Sequence, residues 1–128
     1  MKIGIVGSRK RSFNKDGTVN KETKKEVEDL INSIDVDDTI VSGGCKGVDS
    51  FAIDYAIKRG MDTHVYPPFI YDTMTYGEMT QEYYRRNREV VDSCDKLYAF
   101  ISKDMIKKGG TWYTVEYARK KGKPVVFK

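Results

Sequence analysis

A chain of 128 residues, 39% apolar and 12% aromatic, is near the modal domain size, enough for one sizeable core and too short for two ordinary domains. No apolar run approaches the roughly 20 residues that span a bilayer, which excludes a membrane-crossing helix. Against 19 Asp and Glu, 23 Lys and Arg leave a net charge of +4, which favours anionic partners without selecting nucleic acid among them.

Residues 2–6 form a short run rich in β-branched side chains that leads into Gly7-Ser8, as a buried parallel strand entering a loop does. With one charge and a turn where a cleavage site would lie, this start reads as a strand and not as a signal peptide. Residues 10–17 are polar and predict a mobile loop. Val27, Leu30, Ile31 and Ile34 recur at i, i+3, i+4 and i+7, predicting a helix over residues 21–35 with these four on its inner face. A second strand is predicted at 39–42. The glycine loop Ser42-Gly43-Gly44-Cys45-Lys46-Gly47 then leads into a helix on which Val48, Phe51, Ala52, Tyr55 and Ile57 repeat. Gly60 stops that helix. Residues 62–66 predict a third strand with His64 inside it, ended by Pro67-Pro68 because proline donates nothing to a ladder. An irregular loop to about Tyr76, a helix over 78–92, a strand at 96–101, a connecting loop at 103–110, a helix over 111–121 and a strand at 124–127 complete the chain.

Strands alternating with helices predict an α/β, Rossmann-like fold: an open parallel sheet of about five strands with helices on both faces, forming a single domain over residues 1–128. Right-handed crossovers give the strand order 3-2-1-4-5, which brings the loops after the first, second and fourth strands to one crevice. Cys45 and Cys94 lie far apart and lack metal-ligand spacing. No disulfide scaffold, no metal and no resident cofactor are therefore expected, and a reducing cytoplasm fits.

Gly43, Gly44 and Gly47, between a strand and the first turn of a helix, are the residues that let backbone N–H groups approach an anion, with the helix dipole in support. The alternative is a tight turn without a ligand. There is no Gly-Lys-Ser/Thr triplet and no G-x-G-x-x-G after the first strand, so nucleotide hydrolysis by a Walker loop and nicotinamide chemistry are disfavoured. After Gly7, Ser8 and Arg9 suit a phosphate, or form a capped turn and a surface arginine. Gly109, Gly110 and Thr111 offer a second glycine loop, where Thr111 binds an anion or caps the helix. Arg85, Arg86 and Arg88 with Asn87 form a basic cluster beside Tyr83 and Tyr84, suited to base stacking and phosphate binding or to an amphipathic surface. Asp49 bonds a ribose hydroxyl or complements the helix dipole, and Glu116 is an acid or a solvated residue. Trp112 and Tyr113 complete a neighbour's pocket in a homo-oligomer or pack internally.

Taken together, Gly7-Ser8-Arg9, Ser42-Gly43-Gly44-Cys45-Lys46-Gly47-Val48-Asp49, Arg86-Asn87-Arg88 and Gly110-Thr111 resemble the SLOG superfamily of Rossmann-like nucleotide-ligand binders. The likeness is to its small YspA/YpsA-related group and to the Rossmann core of the DprA family of DNA-processing proteins. The resemblance implies a pocket for a phosphate-bearing, nucleotide-derived ligand. In the related Lonely-guy phosphoribohydrolases, which cleave the N-glycosidic bond of nucleoside monophosphates, an arginine and a glutamate do the work. Their arginine falls on Arg86, but their glutamate falls on Thr114, and Glu116 is displaced by about half a helical turn. An oxocarbenium-like transition state needs nearby negative charge, so the resemblance implies the pocket more than the hydrolysis. The expected function is a sensor or carrier of a nucleotide-derived small molecule. The alternatives are a nucleotide N-glycoside hydrolase, with Arg86, Asp49 and Glu116 as candidates, and single-stranded DNA binding as in DprA.

Overall fold

The computed structural model describes residues 1–102 and 109–128. The elements run β1 (Lys2–Gly7), α1 (Arg9–Ser12), α2 (Lys21–Ser33), β2 (Thr39–Ser42), α3 (Val48–Lys58), β3 (Asp62–Val65), α4 (Tyr76–Ser93), β4 (Lys96–Phe100), α5 (Gly109–Lys120) and β5 (Val125–Phe127). All five strands are parallel, in the order β3-β2-β1-β4-β5. This is the expected α/β, Rossmann-like winding.

The sheet is covered on two faces by two separate clusters of apolar side chains. On one face, Val27, Leu30, Ile31 and Ile34 of the α2 region and Val48, Phe51, Ala52 and Ala56 of α3 pack over Ile3, Ile5 and Ile40. On the other, Val90, Val91 and Cys94 meet Val6, Val41, Leu97 and Ala99 beneath Val115 and Ala118 of α5. Both faces of the central strands are therefore dry, which is why β1 and β2 read as continuous apolar runs.

Three expectations are corrected. Residues 10–17 are not simply a polar loop: α1 forms there, with Arg11 8% and Ser12 1% exposed. Ile57 is 59% exposed, because the inner face of α3 is carried by Phe51, Ala52 and Ala56. The last helix begins two residues early, so Gly109 and Gly110 belong to the first turn of α5, while residues 103–108 of the predicted loop lie outside the described residues. His64 sits in the edge strand β3, is exposed and stacks on Tyr66 at 4.4 Å between ring centroids. No helix among the described residues is long and apolar enough to cross a membrane.

Candidate functional site

Strand order reverses between β1 and β4, so the loops leaving β1 and β2 and the residues Ile101 and Ser102 after β4 lie at the carboxyl edge of the sheet. Gly7 closes β1 opposite Phe100, and the Ser8 amide donates to the Phe100 carbonyl at 2.9 Å. The Ser8 hydroxyl accepts from the Arg11 amide at 3.2 Å, so Ser8 caps α1. Arg9 stays exposed at the mouth of the crevice.

Ser12 ties this loop to the glycine loop. Its hydroxyl donates to the Ser8 carbonyl at 2.9 Å and accepts from the Val48 amide, the first of α3, at 3.0 Å. The Gly47 amide donates to Ser50 Oγ and the Cys45 amide to the Asp49 carboxylate, each at 3.2 Å. The sequence reading has the loop amides facing an anion. Those of Cys45, Gly47 and Val48 are instead taken up by the protein itself.

Arg86 reaches from α4 into the same loop and is 3% exposed. Its guanidinium donates to the Gly43 carbonyl, to Cys45 Sγ at 2.9 Å and to Asn87 Oδ1 at 3.0 Å. Gly43 is required for that approach, since a Cβ there would lie 2.5 Å from Arg86 Nη1. Asp49 is 8% exposed and turned back into the loop. Burial pushes its carboxyl up to about 6, against the pull of the Cys45 N–H, the Arg86 guanidinium, the Ser42 hydroxyl and the Gly43 amide. The Ser42 hydroxyl itself is buried and, among the described residues, outside hydrogen-bond geometry with any partner. Arg86 and Asp49, expected as ligand contacts, thus brace the loop from within.

A titration follows from this burial. The Asp49 pKa is raised in the fold, so the folded state holds that proton more tightly than the unfolded chain does. The stability it supplies is complete below the ordinary carboxyl range and is lost as pH rises through about 6. In urea unfolding, the wild type should lose about 2 kcal/mol relative to Asp49→Asn between pH 4 and pH 7. A difference that does not change with pH would contradict this placement.

The remaining candidates separate. The Asn87 side chain faces Gly110, whose Cβ position would lie 3.7 Å from Asn87 Nδ2. Thr111 is half-buried in the first turn of α5, and Thr114 is buried, its hydroxyl donating to the Gly110 carbonyl at 2.8 Å. Glu116 is exposed and accepts from Trp112 Nε1 at 2.6 Å. The three arginines of the basic cluster also diverge: Arg85 pairs with Glu82 and Glu89, and Arg88 donates to the Tyr113 hydroxyl at 2.8 Å. Tyr113 stacks on Tyr84 at 4.2 Å and Trp112 packs against the second apolar cluster, so both make contacts within the chain.

Beside the glycine loop, on the α1–α2 side, opens a cleft of about 940 Å³. Arg9 follows β1, Lys46 follows β2 and Ser102 follows β4, and all three line it together with Lys10, Phe13 and Lys15. Arg11 is part of its lining, held by the Ile101 carbonyl at 2.9 Å, the Lys128 carbonyl and Glu26. Sequence reasoning points to Arg9 and to the glycine loop that contains Lys46, but not to Lys46 itself as a contact, nor to Ser102, Ser12, Phe13 or Lys15. The available signal was Phe13, the one apolar residue between Ser8 and Gly17.

No family model matches the sequence, and no curated protein matches it. Among solved structures, DNA processing protein A (DprA) from Streptococcus pneumoniae is similar, with a TM-score of 0.71 and 22% identity. The match covers 98% of this chain and 49% of that one, so this chain spans about half the length of the DprA chain it matches. The C-terminal domain of a hydrogenase from Pyrococcus furiosus superposes with a TM-score of 0.50 at 12% identity, over 99% of this chain and 90% of that one. At these identities the likeness is one of fold, the Rossmann-like winding of this chain.

Proposed function

We propose that this protein, as a SLOG-type domain, binds a phosphate-bearing, nucleotide-derived ligand in the cleft at the carboxyl ends of β1, β2 and β4, and does not turn it over. The observation that carries the reading is the convergence of Arg9, Lys46 and Ser102, one from the loop after each of three strands, on a single cleft. Its volume of about 940 Å³ is that of a small-molecule site. Arginine offers a planar fork of donors to a phosphate and lysine a compact charge, so the two suit the same anion from different directions.

The same geometry argues against hydrolysis. Asp49 is bound into the glycine loop, Glu116 faces outward to Trp112, and Thr114 stands where the Lonely-guy glutamate would. A second reading, single-stranded DNA binding, is favoured by the cationic and open character of the cleft together with the likeness to DprA.

Calorimetric titration of the full chain with a panel of nucleoside monophosphates, cyclic nucleotides and ADP-ribose derivatives tests the proposal. Binding of one class is expected, weakened about tenfold or more by Arg9→Ala and by Lys46→Ala, since each removes a charge-assisted hydrogen bond. Chromatography of the same mixtures should detect no free base. A folded protein that binds none of the panel, or that releases base, would refute the reading. Oligonucleotide binding that outcompetes every small ligand and weakens steeply with salt would favour the DNA alternative.

A further inference from the structure

Resting on the reading above, we infer that Phe13 is the platform for the ligand's base, so that the cleft takes a base-bearing nucleotide held at two ends, by Arg9 and Lys46 at the phosphate and by Phe13 at the ring. Among the residues that line the cleft, Phe13 carries the only apolar side chain; the others are charged, amide, hydroxyl or glycine residues. A partly buried phenyl ring at the wall of a cationic cleft keeps its remaining apolar area in water until a flat ligand covers it.

The ring is also fixed in place. The Phe13 amide donates to the Arg9 carbonyl at 3.0 Å, and Phe13 forms an isolated antiparallel bridge with Val19. Its ring edge rests over the glycine loop, with Cε2 3.4 Å from where a Cβ on Gly47 would stand. The platform therefore sits four residues after Arg9 and against the residue that follows Lys46. A ring held among cations suits a base carrying a phosphate, because stacking accepts any base while the charges select the anion. A sugar phosphate without a base would use the cations and leave the ring uncovered.

The test compares adenosine monophosphate with ribose 5-phosphate, titrated into the full-length wild type and Phe13→Leu. Leucine keeps apolar contact with Gly47 and lacks the aromatic face. The wild type should bind adenosine monophosphate about tenfold or more tightly than ribose 5-phosphate. In Phe13→Leu that gap should close, with ribose 5-phosphate unchanged, and in Phe13→Tyr it should persist. If leucine weakens both ligands equally, if it leaves the gap intact, or if the wild type binds the two alike, the platform is overturned while the phosphate reading stands. If neither ligand binds a folded wild type, the platform is overturned, and the phosphate reading falls with it only when the whole nucleotide panel also fails to bind. Should Phe13→Leu fail to fold, the tyrosine variant decides: loss of the gap there contradicts the platform.

Discussion

Arg86→Leu is expected to cost about 3–5 kcal/mol in chemical unfolding, the largest effect of any single change considered. The guanidinium holds the Gly43 carbonyl and the Cys45 thiol, and its charge opposes that of the buried Asp49 carboxylate. Leucine fills part of the volume but leaves the carbonyl without its partner and the carboxylate without its counter-charge. Lysine should not rescue it, because one ammonium cannot reproduce a planar fork aimed at the Gly43 and Tyr66 carbonyls, Cys45 Sγ and Asn87 Oδ1. A double change gives the diagnostic result: with Asp49→Asn already present, Arg86→Leu should cost less than it does alone, since there is no buried anion to strand. Additive costs would show that the two groups do not form one brace.

Gly47→Ala should cost about 2–4 kcal/mol and should do so for two separable reasons. The residue has φ 103° and ψ −137°, a conformation that side-chain-bearing residues rarely adopt. A Cβ would also stand 2.4 Å from Ser12 Oγ, the atom that accepts the Val48 amide. Ser12→Ala removes the Oγ contact but keeps the Ser12 Cβ, 2.6 Å from that position, and leaves the Val48 amide unpaired. The two changes together should therefore cost less than their sum, while the strain from φ persists. Full additivity, or a cost near that of an ordinary surface change, would refute this account of the loop. Because the Phe13 ring rests on Gly47, the same variant should also weaken nucleotide binding.

Much of the architecture was legible because it depends on short-range pattern. The i, i+3, i+4, i+7 series from Val27 to Ile34 and the apolar strand segments require no tertiary knowledge, and right-handed crossovers then leave one simple strand order. The place where the strand ends converge was legible, and the contacts made by the residues around it were not. Chain order alone brings the loops after β1, β2 and β4 together, so Arg9 and Lys46 were within reach of sequence reasoning. Whether a glycine loop presents its amides outward or is closed from inside depends on contacts across the chain. Ser12 reaches Val48 over 36 residues and Arg86 reaches Gly43 over 43, and no local pattern announces either. Asp49 and Arg86 carry the residue types of a phosphate or ribose site, and their burial turns them into a brace. Ile57 was misread because a helical repeat through Val48, Phe51 and Tyr55 is shared by two neighbouring faces, and packing on the sheet selects the one that holds Ala52 and Ala56.

If the brace is structural and the cleft functional, substitutions at the two should differ in kind. Arg86 and Gly47 variants should lower stability first, whereas Arg9 and Lys46 variants should leave unfolding unchanged and lower affinity. The most direct test of the central claim is therefore the location of the ligand. Amide chemical shifts should be followed while adenosine monophosphate is titrated into the isotopically labelled full chain. Changes should concentrate at Arg9, Phe13, Lys46 and Ser102, around the cleft at the ends of β1, β2 and β4. A saturating titration that leaves these amides unmoved, or that moves instead the outer face of α5 around Trp112 and Glu116, would contradict it.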